Sequence, residues 1–148
     1  MQAIREHDAM NRALFEAEIA HGDMPVALRG QVAEWPAVVE GQRGAAAIAR
    51  YLARFDSGNE VVITAGAPEI AGRFTFNADY TGFNFQLKRA TLTVLLQELL
   101  RLSQEASPAA FYSGANSADH VVPGWTEANR LDLVESTVVP RLWIGNGA

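Results

Sequence analysis

Residues Leu92 to Gln104 carry Leu92, Leu95, Leu96, Leu99, Leu100 and Leu102 behind a threonine, and no other segment constrains the fold as tightly. The spacing predicts a helix with a wide apolar face, started by Thr91 as its cap. A face that wide has to be buried against another layer. Other apolar segments read as strands. Val61-Val62-Ile63-Thr64 is β-branched, Ala109 to Ser113 carries Phe111 and Tyr112, and Val138 to Ile144 runs into Gly145-Asn146-Gly147-Ala148. Arg73-Phe74-Thr75-Phe76-Asn77 and Phe83-Asn84-Phe85-Gln86-Leu87 alternate as half-buried strands do, which predicts a hairpin between them.

The rest of the chain mixes helix with strand. Met10, Leu14 and Ala17, with Ile4 before them, predict an opening helix that stops near His21-Gly22. Met24-Pro25-Val26-Ala27-Leu28 reads as a short strand ended by Gly30. Trp35-Pro36-Ala37-Val38-Val39 reads as a helical turn with proline at an early position. Ala45 to Phe55 aligns Ile48, Tyr51, Leu52 and Phe55 on one helical stripe, and Asp56-Ser57-Gly58-Asn59 is a turn. A Gly/Asn/Asp-rich loop with Pro123 follows Ser113. The pattern is mixed α and β in one domain over residues 1–148.

Composition limits the chemistry. Apolar residues make up 49% of the 148 and charged residues 20%, which argues against a disordered chain. No apolar run approaches the ~18 residues of a membrane span, and Met1 to Asp8 lacks a signal peptide's apolar stretch. A cytoplasmic domain without membrane contact is the expectation. The net charge of −5 disfavours a nucleic-acid partner. With no cysteine, disulfides, thiolate metal sites and a cysteine nucleophile are excluded.

Three histidines remain to be weighed. His7 reads as a solvated residue on a polar helix face, and His120 as a surface loop residue. His21-Gly22-Asp23 spells His-x-Asp, two-thirds of a facial iron triad, but its place at a helix end makes Gly22 a cap and the pair structural. No Gly-x-Ser-x-Gly occurs; Ser57-Gly58 and Ser113-Gly114 read as turns. The glycines lack phosphate-loop spacing. Glu16/Glu18 and Asp132/Glu135 read as solvated faces, and Phe74, Phe76, Phe83 and Phe85 as core packing rather than a ligand groove. No catalytic set and no metal site emerges from these residues.

The order of motifs carries more. Met24-Pro25-Val26-Ala27-Leu28-Arg29-Gly30, then Ala33-Glu34-Trp35-Pro36-Ala37-Val38, resembles the opening of cupin-like proteins related to the JmjC hydroxylases. Ala49-Arg50-Tyr51-Leu52, Gly72 to Asn77, Phe111-Tyr112-Ser113-Gly114 and Pro140-Arg141-Leu142-Trp143-Ile144-Gly145-Asn146 continue that resemblance in order. It implies an Fe(II)- and 2-oxoglutarate-dependent oxygenase, acting on a protein or small molecule, on a double-stranded β-helix. It also implies that Tyr112 matches the family's tyrosine that hydrogen-bonds the 2-oxoglutarate carboxylate.

In the family the iron-binding His-x-Asp comes shortly after the Trp-Ile-Gly-Asn strand, and this sequence reaches Ala148 before it. The expectation is therefore an α+β N-terminal portion, helices and strands flanking an incomplete double-stranded β-helix. Such a portion is expected to lack the metal ligands, to bind no iron, to turn over no 2-oxoglutarate, and to be inactive alone. An alternative from another class is a non-catalytic protein-interaction module that uses an exposed sheet edge for strand addition or self-association.

Overall fold

The computed structural model describes residues 3–146; Met1, Gln2, Gly147 and Ala148, which the sequence reading included at the two ends, lie outside the described residues. The chain is α+β. Two sheets form: a parallel pair, β1 (Arg5–Asp8) with β2 (Val26–Arg29), and a four-stranded antiparallel sheet. The larger sheet contains β3 (Glu60–Gly66), β4 (Phe85–Thr91), β5 (Ala110–Ser117) and β6 (Arg141–Gly145) in the order β4-β3-β5-β6. No closed barrel forms among the described residues.

The leucine segment behaves as its spacing requires. It forms α4 (Leu92–Leu102), with Leu92, Leu95, Leu96 and Leu102 buried. Together with α3 (Ala45–Ala53) it covers one face of the large sheet. Val61 and Ile63 of β3 reach into the same core as Tyr51, Leu52, Leu95, Val121 and Val122. Alternation along β3 is sharp: Val61 is 2% exposed and Val62 is 41% exposed, so the sheet has one packed face and one open face.

Helix caps hold the helices in register. Thr91 Oγ1 accepts from the Val94 N–H, but at 3.4 Å. Asp56, in the turn after α3, does more: its Oδ2 accepts from the Thr93 N–H at 2.8 Å and from the Thr93 hydroxyl at 2.5 Å. Its other oxygen accepts from the Gly58 N–H at 3.0 Å. Burial pushes the Asp56 carboxyl upward, but these bonds outweigh it and hold its pKa below the usual carboxylate range. Helix α2 (Pro36–Gln42) starts with proline at its first position. Its Ala37 N–H is capped from far along the chain by Asn129 Oδ1, at 2.9 Å. Asn129 is 2% exposed, and its Nδ2 donates to the Tyr51 hydroxyl at 2.8 Å and to the Trp125 carbonyl at 2.9 Å.

Several sequence expectations are corrected. The opening helix is shorter, α1 (Arg12–Glu18), because Asn11 caps it by accepting from the Leu14 N–H at 3.0 Å. Residues before it pair with β2 as strand β1, and Gln31 locks the junction through both its amide groups to Met10. The hairpin 73–87 reduces to one bridge, Phe76 to Phe83, because asparagine side chains replace the ladder. The loop after Ser113 is instead the continuation of β5 followed by two short helices, α5 (Ala118–Val121) and α6 (Trp125–Ala128). The last strand starts at Arg141 rather than Val138. No helix among the described residues is long and apolar enough to cross a membrane.

Candidate functional site

Tyr112 sits in the middle of β5, opposite Thr64 on β3 and Gly145 on β6. Its ring lies on the open face, 39% exposed. Two glycines make that position possible. A Cβ at Gly114 would collide with the Tyr112 hydroxyl and come within 2.7 Å of Trp143 Cδ1. One at Gly145 would stand 2.7 Å from the Phe111 carbonyl oxygen. The terminal Trp-Ile-Gly-Asn motif therefore has a local meaning. Trp143 lies on the open side, 56% exposed, and Ile144 packs on the core. Asn146 extends the ladder: Oδ1 accepts from the Phe111 N–H at 2.8 Å and Nδ2 donates to the Ala109 carbonyl at 2.8 Å.

Beside Tyr112 is an open depression of about 410 Å3, lined by Thr64, Thr75, Phe74, Phe76, Phe83 and Phe85. Phe74 meets Phe85 edge-on at 5.6 Å and lies 6.4 Å from the Tyr112 ring. Its hydroxyl-bearing lining residues are Tyr112, Thr64 and Thr75. Those donate to an anion or a carbonyl without carrying charge themselves. Phe74 and Phe85 are half-buried, but the expectation of core packing is overturned for Phe76, 54% exposed, and Phe83, 59% exposed. They sit on an asparagine-braced loop outside the sheet, so no helix covers them. Sequence reasoning missed Thr64, whose importance comes only from its pairing with Tyr112.

The other candidates separate. His7 is not a solvated helix residue; it lies on β1 with Nε2 shielded from solvent and without a hydrogen-bond partner. His21 lies in the turn beyond α1, exposed, so His21-Gly22-Asp23 is not a strand motif. His120 is on α5, where its carbonyl, not its ring, is used: Ser57 Oγ and Asn59 Nδ2 donate to it at 2.8 and 2.9 Å. Ser57-Gly58 is a turn as read, whereas Ser113-Gly114 lies within β5, with Ser113 1% exposed and bonded by Asn116 Nδ2 at 2.9 Å. Among the described residues no three His, Cys, Asp or Glu side chains gather as a metal-ion site, so these residues do not fit an iron centre.

Comparison with curated proteins gives no match, and comparison with solved structures gives none. The family model described as a cupin-like domain matches residues 12–148, nearly the whole chain and all four strands of the large sheet, and the chain belongs to that cupin-like family.

Proposed function

We propose that this chain contributes the cosubstrate-binding sheet of a JmjC-related Fe(II)- and 2-oxoglutarate-dependent oxygenase, working in the cytoplasm on a protein or small-molecule substrate. Its own share of the chemistry is cosubstrate binding through Tyr112. The observation that supports this reading is the Tyr112 ring laid over Gly114 on the open sheet face, at a depression that Thr64 and Thr75 also line. A phenol O–H donating to a carboxylate contributes about 1.5–3 kcal/mol where water is excluded. Tyr112 is 39% exposed and its depression is open, so the bond falls at the low end of that range. Among the described residues no basic side chain lines the depression, so it offers hydroxyl donors for one carboxylate and no ion pair for the second. When bound, 2-oxoglutarate would supply two electrons for the reduction of dioxygen, leaving as succinate and carbon dioxide.

Saturation-transfer NMR with 2-oxoglutarate tests the cosubstrate reading. Transfer to its methylene protons is expected from the wild-type chain and lost in Tyr112→Phe. Equal transfer from both proteins overturns it. A second assay adds Fe(II), 2-oxoglutarate and ascorbate and follows succinate. No succinate is expected from this chain alone; succinate abolished by His21→Ala would restore the His-Gly-Asp triplet as a ligand set.

A further inference from the structure

The segment from Gly72 to Phe85 is a braced finger. Asn84 Oδ1 accepts from the Thr75 N–H at 2.9 Å while its Nδ2 donates to the Arg73 carbonyl at 2.9 Å. At the tip, Asn77 and Gly82 are joined twice: the Asn77 N–H donates to the Gly82 carbonyl at 2.9 Å, and the Gly82 N–H donates to Asn77 Oδ1 at 3.1 Å. Tyr80 adopts a left-handed φ of 60°, a strained conformation for an aromatic residue. This brace holds Phe76, Tyr80 and Phe83 out in solvent, Tyr80 at 81% exposure. Phe76 stacks on Phe83 at 5.2 Å, and Phe83 on Phe85 at 4.8 Å. A contiguous aromatic patch held rigidly in water marks a contact surface rather than a packing feature.

Phe83 and Phe85 wall two depressions. One is the Tyr112 depression. The other, about 490 Å3, is lined also by Asn84, Gln86, Lys88 and Phe111. The Lys88 ammonium stands 5.4 Å from the Phe111 ring centroid. Among the described residues it makes no ion pair, and Glu98, the carboxylate whose pKa it helps to lower, is already bound by Arg101. The surrounding strands share this bias. Strands β3 to β6 contain Lys88, Arg89 and Arg141 against Glu60 alone, in a chain of net charge −5.

β4 is also the outer strand of its sheet, with β3 on one side and no strand on the other among the described residues. Open edges accept extended chains through main-chain hydrogen bonds. A second copy pairing antiparallel through the same edge would bring Lys88 and Arg89 near their own counterparts, a repulsive arrangement. An acidic strand meets no such penalty.

We propose that the β4 edge and the aromatic finger beside it form a docking strip for an extended acidic peptide that carries aromatic or aliphatic side chains. The peptide adds as a strand to β4, sets an apolar side chain on Phe76 and Phe83, and pairs a carboxylate with Lys88. This strip does not depend on the cosubstrate reading.

Fluorescence anisotropy with a labelled peptide of alternating Glu and Phe/Leu residues tests it on the full chain. Saturable binding is expected, falling about tenfold in Phe76→Ser/Phe83→Ser and about tenfold in Lys88→Glu. A Glu/Ser peptide, a Lys/Phe peptide and the Glu/Phe peptide with a central proline are all expected to bind much more weakly. Because all three altered side chains lie at the surface, melting temperatures should stay near wild type; if the double variant does not fold, Lys88→Glu decides alone. Tyr112→Phe should keep peptide binding whatever it does to 2-oxoglutarate, which separates the two readings. Equal binding of the Lys/Phe peptide, or indifference to both variants, overturns the proposal. So does a dimer in sedimentation that Phe76→Ser/Phe83→Ser dissolves, since the occupant is then a second copy.

Discussion

The large sheet has two faces made from the same strands, and they differ in almost everything. On one face Val61 and Ile63 are sealed under α3 and α4; on the other Val62, Thr64, Leu87, Tyr112 and Trp143 meet water. Alternation along a strand sets both at once, so β3 cannot bury one set without presenting the other. The packed face stabilises the fold. The open face presents Tyr112 and Thr64, with the aromatic finger along its margin. Polar bonds divide the same way: Asn129 and Asp56 hold helices on the packed side, whereas the hydroxyls of Tyr112 and Thr64 remain available in their depression.

The largest expected effect breaks the packed face. Leu95 is 1% exposed, so Leu95→Ala should cost about 2–5 kcal/mol in unfolding free energy, measured by urea denaturation. Next comes the long-range cap. Asn129→Ala removes the acceptor of the Ala37 N–H and strands the Tyr51 hydroxyl, and should cost about 1–3 kcal/mol in the same measurement. Neither should alter peptide anisotropy in the folded protein. A large binding change in either would mean that the two faces are coupled.

Asp56 gives a pH signature confined to the packed side. Its folded pKa is depressed, so its carboxylate stabilises the fold above the unfolded value of about 3.9 and that contribution fades as pH falls through the folded pKa. Asp56→Asn should therefore be less stable than wild type by about 1–2 kcal/mol at neutral pH, and the gap should close below about pH 4. A gap that stays constant from pH 7 to pH 3 would show that the charge contributes nothing to capping α4.

What could be read in the sequence follows this division. The packed face was legible because it is periodic: the leucines of α4, the stripe of α3 and the β-branched run of β3 each announce burial by spacing alone. Family likeness, carried by motif order, is what singled out Tyr112 as a candidate. Caps supplied across long separations were not legible, since nothing near Ala37 or Thr93 points to Asn129 or Asp56. Thr91 satisfied the local rule and turned out to be the weaker cap. The finger misled for a physical reason. Phe74-Thr75-Phe76 and Phe83-Asn84-Phe85 have strand periodicity, but alternation reports which residues share a side, not whether anything covers it. Asn77 and Asn84, residues that favour local side-chain to backbone bonds, were the available signal that a ladder would not form there.

The smallest expected effect is the one that bears hardest on the comparison. Leu87 lies opposite Thr64 on the open face and is 67% exposed. Leu87→Ala removes side-chain atoms already in water, so the change in unfolding free energy should stay within about 0.5 kcal/mol. Leu95→Ala deletes the same atoms from the same residue type, which makes the pair a direct measure of how differently the faces are solvated. If Leu87→Ala costs as much as Leu95→Ala, the open face is covered in solution. Repeating both measurements across protein concentration then identifies the cover. A cost at Leu87 that grows with concentration means a second copy sits there, because association stabilises the folded form by mass action. A cost that is large and independent of concentration means residues of the same chain fold over the sheet, and the depression beside Tyr112 is closed rather than open.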